Sequence, residues 1–240
     1  MWDLQGRRAL VSGGGTGIGL ACAQALTRAG AHVTVLGRRE APLRAAVASG
    51  AATEALVGDA GAPPSITDCD ILVNAAGSAL AAPFLRTDDA AFRAAIDANL
   101  MSAVTLTRLL LPAMIASGFG RVIHIASTAA LKGYAYVVPY VAAKHALLGF
   151  TRALALEVAT RGVTINAVCP GFTETPLLEA SVARIEATTG RDAGTARAGL
   201  ANNNPQGRLF SPEEVADAVL YLCHAPGVNG VALSLSGGEI

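Results

Sequence analysis

Short apolar runs rich in β-branched residues recur at positions 9–11, 32–36, 55–57, 71–73, 122–125, 163–168 and 231–235, each bounded by Gly, Pro, Asn or Asp. Runs this short and uniformly apolar predict strands buried on both faces. Between them lie Ala- and Leu-rich stretches whose apolar positions repeat with helical spacing, at 17–28, 41–48, 90–117, 140–160, 176–188 and 212–223. Strand and helix alternate, which predicts an α/β fold: a doubly wound parallel sheet in a three-layer α/β/α arrangement.

Two stretches break the alternation. The Gly/Pro-rich segment 59–64 stands where another crossover helix would fit, so that crossover is expected to be abbreviated. The stretch 189–206 holds Gly190, Gly194, Gly199, three consecutive Asn and Pro205, and shows no strong periodicity. Residues 176–206 are therefore read as a mobile flap over the site. The whole chain, 1–240, is read as one domain that binds and acts. No internal repeat interrupts it.

Composition sharpens this picture in a few places. With 52% hydrophobic and 15% charged residues over 240 positions, there is material for one sizeable core. Lys plus Arg and Asp plus Glu number 18 each, so no overall field draws nucleic acid or anionic lipid, and small molecules or further copies of the chain are the expected partners. The N-terminus lacks the apolar segment and cleavage site of a signal peptide, which points to a cytoplasmic protein. The apolar stretches are short of the roughly 20 residues that span a bilayer, so no membrane is expected. Cys22, Cys69, Cys169 and Cys223 have no CxxC spacing and read as buried free thiols. His32, His124, His145 and His224 lack partners at ligand spacing, and no metal site is expected. Trp2 is read as packing.

The chemistry concentrates at strand ends. Ser12-Gly13-Gly14-Gly15-Thr16-Gly17-Ile18-Gly19 follows the first strand and opens the first helix, the context in which glycines let backbone N–H groups approach a pyrophosphate. After the second strand, Arg38 and Arg39 stand where an NAD-selective site usually offers a carboxylate to the ribose. Two guanidiniums there favour a 2′-phosphate and hence NADP, with NAD left open; the competing reading is a pair of solvated arginines at a helix start. Tyr140 and Lys144 lie one turn apart on a helix announced by Pro139, a spacing at which an ammonium stabilises a phenolate. Ser127 lies just past the fifth strand, and Asn74-Ala75-Ala76-Gly77 closes the fourth. Such carboxyl ends are where parallel sheets bind ligands.

Together these motifs resemble the short-chain dehydrogenase/reductase family over nearly the whole chain: the glycine loop 13–19, Asp59, Asn74 to Gly77, Asn99, Ser127, Tyr140 with Lys144, and Pro170-Gly171. The resemblance implies a Rossmann fold. It makes Tyr140 the acid/base, has Ser127 bond the reacting oxygen, has Lys144 bind the nicotinamide ribose and lower the Tyr140 pKa, and has Asn99 help hold a water relay. It places the coenzyme against Gly13, Gly15, Thr16, Gly17, Ile18, Gly19, Asp59, Ala60 and Asn74 to Gly77. Phe172 and Thr173, after Pro170-Gly171, would cover the nicotinamide carboxamide.

Two departures stand out. Ser12 stands where the family often has Thr, and Ser236 precedes Gly237-Gly238 where an acidic residue is frequent.

The activity implied is NADP-dependent interconversion of a ketone and a secondary alcohol, most like that of 3-oxoacyl reductases and 3-hydroxyacyl-CoA dehydrogenases. A small cyclic or aromatic alcohol is the other substrate class, and a non-catalytic nucleotide-sensing scaffold the reading of another kind. Tyr134 and Tyr136 either line the substrate mouth or pack as ordinary loop residues. Arg184, Arg191, Arg197 and Arg208 either meet an anionic handle such as a coenzyme A phosphate or serve as solvated charge. The family's assembly implies a homotetramer built on the two long helices, with a dimer as the next expectation.

Overall fold

The computed structural model describes residues 3–240, so Trp2 lies outside the described residues. Seven parallel strands form one sheet: β1 (Arg8–Ser12), β2 (His32–Gly37), β3 (Glu54–Val57), β4 (Ile71–Asn74), β5 (Gly120–Ile125), β6 (Val163–Pro170) and β7 (Ala232–Leu235), ordered β3-β2-β1-β4-β5-β6-β7. The order reverses direction between β1 and β4, where Ser12 pairs with Asn74. A crevice at the carboxyl ends of strands follows from that reversal.

The helices are α1 (Gly17–Arg28), α2 (Glu40–Ala48), α3 (Asp89–Ile96), α4 (Ser102–Ser117), α5 (Val138–Glu157), α6 (Pro176–Thr189), α7 (Ala193–Ala201) and α8 (Pro212–His224). Alternate residues of the inner strands feed cores on the two faces of the sheet. Val11, Val33 and Val73 pack with Cys22 and Leu26 of α1 and Val219 of α8. Leu10, Leu72 and Val122 pack with Leu106, Leu110 and Met114 of α4. Apolar residues on both faces are what a sheet covered twice requires.

The long helical run 90–117 expected from sequence is divided. A π-helical turn, Asp97–Met101, separates α3 from α4 and buries Asn99. The run Asp89–Ser117 is, by length and composition alone, long and apolar enough to cross a membrane, which the sequence reading did not anticipate. Part of that apolar character is spent on the core, where Leu106, Leu110 and Met114 of α4 pack against the sheet, although only 33% of the most apolar stretch is buried.

No helix occupies 58–70, the abbreviated crossover, and Val57 on the edge strand is 48% exposed. In the flap, α7 forms where no periodicity was visible. Asp192 caps it, accepting from Thr195 N at 3.0 Å, and Arg197 bridges Glu174 and Glu179. All four cysteines are buried free thiols.

Candidate active site

The glycine loop is shaped by contacts that leave no room for side chains. Gly13 adopts φ +68°, and a Cβ there would meet Ala76 N at 2.9 Å. The loop is pinned from both sides: Gly13 N donates to Leu36 O at 2.8 Å, and the Ser12 hydroxyl accepts from Ala76 N at 3.3 Å. Ser12 thus holds the first and fourth strand ends together, the task a hydroxyl at this position allows. Thr16 caps α1 without a side-chain bond, and the first turn holds no acidic residue. Its N–H groups and the positive end of the helix dipole are left for an anion.

A cavity of about 860 Å³ runs from this loop along the crevice. Gly13, Gly15, Thr16, Gly17, Ile18 and Gly19 line one end, with Arg38, Arg39, Asp59 and Ala60 around it. Ala75, Ala76, Gly77, Asn99, Tyr140 and Lys144 line the rest. Among the described residues neither Arg38 nor Arg39 forms an ion pair with a carboxylate, so both guanidiniums face the cavity unneutralised. Asp59 accepts from Gly61 N at 2.8 Å and so shapes its own turn. Leu36, Pro42 and Leu43 add an apolar wall beside the arginines, which motif reading did not single out. Glycine cradle, free helix N-terminus and paired guanidiniums together fit a phosphorylated dinucleotide.

The remaining expected residues are placed differently. Asn74 is buried beneath the cavity, its Nδ2 3.1 Å from His124 Nδ1 and 3.5 Å from Thr107 Oγ1; the backbone of 75–77, not this side chain, faces the crevice. Ser127 lies outside the wall but close enough to Tyr140 for its hydroxyl to favour the phenolate. Pro170, Gly171, Phe172 and Thr173 also lie outside it. They are held by Asn204, a residue that sequence alone does not assign to the site. Its Oδ1 accepts from Phe172 N at 3.0 Å and its Nδ2 donates to Phe172 O at 2.9 Å and Arg208 O at 2.7 Å. The only sequence signal was an Asn run before a Pro, and the partner lies 32 positions away.

Around Tyr140 the groups converge. Lys144 Nζ donates to Ile125 O at 2.8 Å and lies 5.6 Å from the Tyr140 ring centre. A Cβ on Gly77 would fall 2.7 Å from Asn99 Oδ1 and 3.7 Å from Lys144 Nζ, so these three stand together. Asn99 spends its amide on Ser78 O at 2.8 Å and Ala95 O at 3.0 Å. What it can offer is the backbone of its π turn, where the hydrogen-bond ladder is loosened.

Burial pushes the Tyr140 phenol up from its ordinary value, with the Ser127 hydroxyl pulling the other way. The expected depression by Lys144 is not among the influences on Tyr140; burial instead brings the Lys144 ammonium down to about 8. His124 is driven down to about 3 by burial and is a neutral core residue.

Arg197 and Arg208 are tied to carboxylates, Arg208 to Glu214 at 2.7 Å. Arg184 and Arg191 have no carboxylate partner among the described residues. Tyr136 is 64% exposed, while Tyr134 packs edge-on against Phe172 at 6.0 Å.

Residues 13–239 match the family model described as Enoyl-(Acyl carrier protein) reductase. The chain is 37% identical to D-beta-hydroxybutyrate dehydrogenase of Cupriavidus necator, over 99% of both chains. It is 34% identical to 3-oxoacyl-(acyl-carrier-protein) reductase of Escherichia coli K12, over 98% of both. Among solved structures it resembles a single-site variant of actinorhodin polyketide ketoreductase with NADPH, at a TM-score of 0.91 and 33% identity over 97% of each chain.

Proposed function

Given that the chain belongs to the short-chain dehydrogenase/reductase family, we propose that its ketone substrate is a 3-oxoacyl thioester and that Tyr140 exchanges the proton. The protein is an NADP-dependent oxidoreductase that interconverts a ketone and a secondary alcohol. The observation that carries the residue assignment is the cluster of Tyr140, with Ser127 beside it, and of Lys144 and Asn99 at one end of the glycine-loop cavity.

Bound NADPH supplies the hydride. In reduction the Tyr140 hydroxyl gives its proton to the carbonyl oxygen while the Ser127 hydroxyl donates a second hydrogen bond. Two preoriented donors stabilise the negative charge that builds there. Lys144 lies beside Gly77, from where it would hold the nicotinamide ribose, and the loosened turn at Asn99 would support a water relay. Because burial raises the Tyr140 pKa, the donor is protonated throughout the neutral range. Oxidation needs the phenolate instead. In pH–rate profiles oxidation is expected to climb with rising pH, and reduction to fall only above neutrality.

Arg38 and Arg39 read the 2′-phosphate. Replacing Arg38 with Asp removes a charge-assisted bond, about 1.5–3 kcal/mol, and adds repulsion. The ratio of kcat/KM for NADPH over NADH should therefore fall at least tenfold, and an unchanged ratio contradicts the assignment.

Two named relatives act on 3-hydroxy or 3-oxoacyl compounds, and the unpaired Arg184 and Arg191 on the flap suit an anionic carrier. NADPH oxidation with acetoacetyl-CoA, cyclohexanone and acetophenone tests this. The thioester should show the highest kcat/KM by at least tenfold; preference for a cyclic or aromatic ketone overturns the thioester reading and leaves the reaction class standing.

We infer that the protein is a cytoplasmic homotetramer. The outward faces of α4 and α5 expose Leu109 at 43% and Leu156 at 81%, apolar surface that association would cover. Sedimentation equilibrium should return four copies, and a stable monomer at micromolar concentration would count against it.

A further inference from the structure

The Glu239 side chain is only 6% exposed. Lys132 Nζ lies 2.6 Å from Oε1, and the Tyr134 hydroxyl donates to the same carboxylate at 2.7 Å. Thr128 Oγ1 is 2.6 Å from the Tyr134 oxygen. A phenol has one proton and the carboxylate takes it, so the Thr128 hydroxyl must be the donor to Tyr134. A directed chain results, from Thr128 through Tyr134 to Glu239. Burial pushes the Tyr134 phenol well up, so it remains a donor.

The chain starts beside Ser127 and ends at a carboxylate 105 positions from Tyr134. It also fixes a surface. The Tyr134 ring meets Phe172 edge-on at 6.0 Å, and its hydroxyl is turned toward Glu239. Loop 131–137 has few other anchors: Lys132 N donates to Thr128 O at 3.0 Å, and Ala82 N donates to Tyr136 O at 2.8 Å.

We propose that Glu239 is a positioning residue of the reductase site. Its carboxylate holds the Tyr134 ring against Phe172 as an apolar wall for the substrate portion adjoining the carbonyl, and through Thr128 it keeps Ser127 in register with Tyr140. The kinetic part rests on the ketone-reducing reading above. The tether itself does not.

The test compares wild type, Glu239→Gln, Glu239→Asp, Tyr134→Phe and the Glu239→Gln/Tyr134→Phe double variant, each as the full chain. With NADPH and the ketone that wild type reduces fastest, Glu239→Gln should raise the ketone KM about 5–10-fold, leave the NADPH KM within about twofold, and be partly rescued by Glu239→Asp. Tyr134→Phe, which removes the bond that Gln only weakens, should raise the ketone KM at least as much as Glu239→Gln, and the double variant should be no worse than Tyr134→Phe, because both act on one chain. Additive effects, or equal rises in both KM values with a lowered Tm, would mark a mere end clamp and overturn the proposal.

Hydrogen exchange gives a readout independent of turnover. Amides 128–136 should exchange faster in Glu239→Gln, with the glycine-loop amides unchanged. Unaltered exchange at 128–136 overturns the tether even if no ketone is reduced, whereas absent turnover in wild type with faster exchange in the variant overturns only the functional reading.

Discussion

Tyr140→Phe is expected to lower kcat for ketone reduction by about 10²–10⁴-fold, the span general acid catalysis supplies. The variant keeps the ring and removes one oxygen. Lys144 is anchored on Ile125 O and not on the phenol, so the cavity wall should survive the change. Coenzyme affinity is therefore expected to stay within about twofold of wild type, and only transition-state stabilisation is lost. Ser127 remains and can still donate a hydrogen bond, but it cannot replace the proton donor, since an aliphatic hydroxyl is a far weaker acid than a phenol. Stopped-flow turnover beside NADPH fluorescence titration separates the two quantities. Residual turnover above a tenth of wild type would remove Tyr140 from the role.

Gly19→Ala should abolish coenzyme binding by another route. The added Cβ would lie 2.3 Å from Gly13 O and 2.7 Å from Gly13 C, both backbone atoms. Helix α1 cannot withdraw, because Cys22 and Leu26 on it are fully buried against the sheet and α8. The overlap must be relieved by the loop itself, the part that cradles the phosphates. Overpacking of this kind costs about 1–3 kcal/mol, which lowers Tm by about 2–12 °C for a chain of this size. NADPH affinity should fall by two orders of magnitude or more. Gly199→Ala is the control: no heavy atom lies within 4 Å of a Cβ built there, and it sits inside α7. That substitution should be neutral or stabilising, by up to about 1 kcal/mol. Equal NADPH affinity in Gly19→Ala and wild type would contradict the account of the loop.

Much of this was legible in the residues because the signals are local. All seven strands lie where short apolar runs predict them, but burial on both faces holds only for the inner strands: edge strand β3 is largely exposed and β7 half-buried, which runs this short do not reveal. Glycine loop, Arg pair and Tyr140–Lys144 spacing each announce their chemistry within a few positions. What stayed hidden depends on distance along the chain. Helix α7 carries Gly194 and Gly199 and little apolar face, and is held by its Asp192 cap and by Arg197 reaching Glu174 and Glu179. A π turn at 97–101 differs from an α turn by one residue of register, which periodicity over a 28-residue apolar stretch does not resolve. Asn204 and Glu239 look like loop and tail residues until their partners, 32 and 105 positions away, are brought to them. The order of effects on Tyr140 was also unreadable. Sequence spacing shows the ammonium four residues on but not the burial that governs the phenol.

Isotope transfer tests the central claim most directly. NADPH deuterated on the transferred position of C4 is mixed with wild-type protein and the preferred ketone, and the alcohol is analysed by mass spectrometry and NMR. One deuterium on the carbinol carbon for each NADPH consumed is the predicted result. Unlabelled alcohol, or NADPH consumed without alcohol formed, would contradict it.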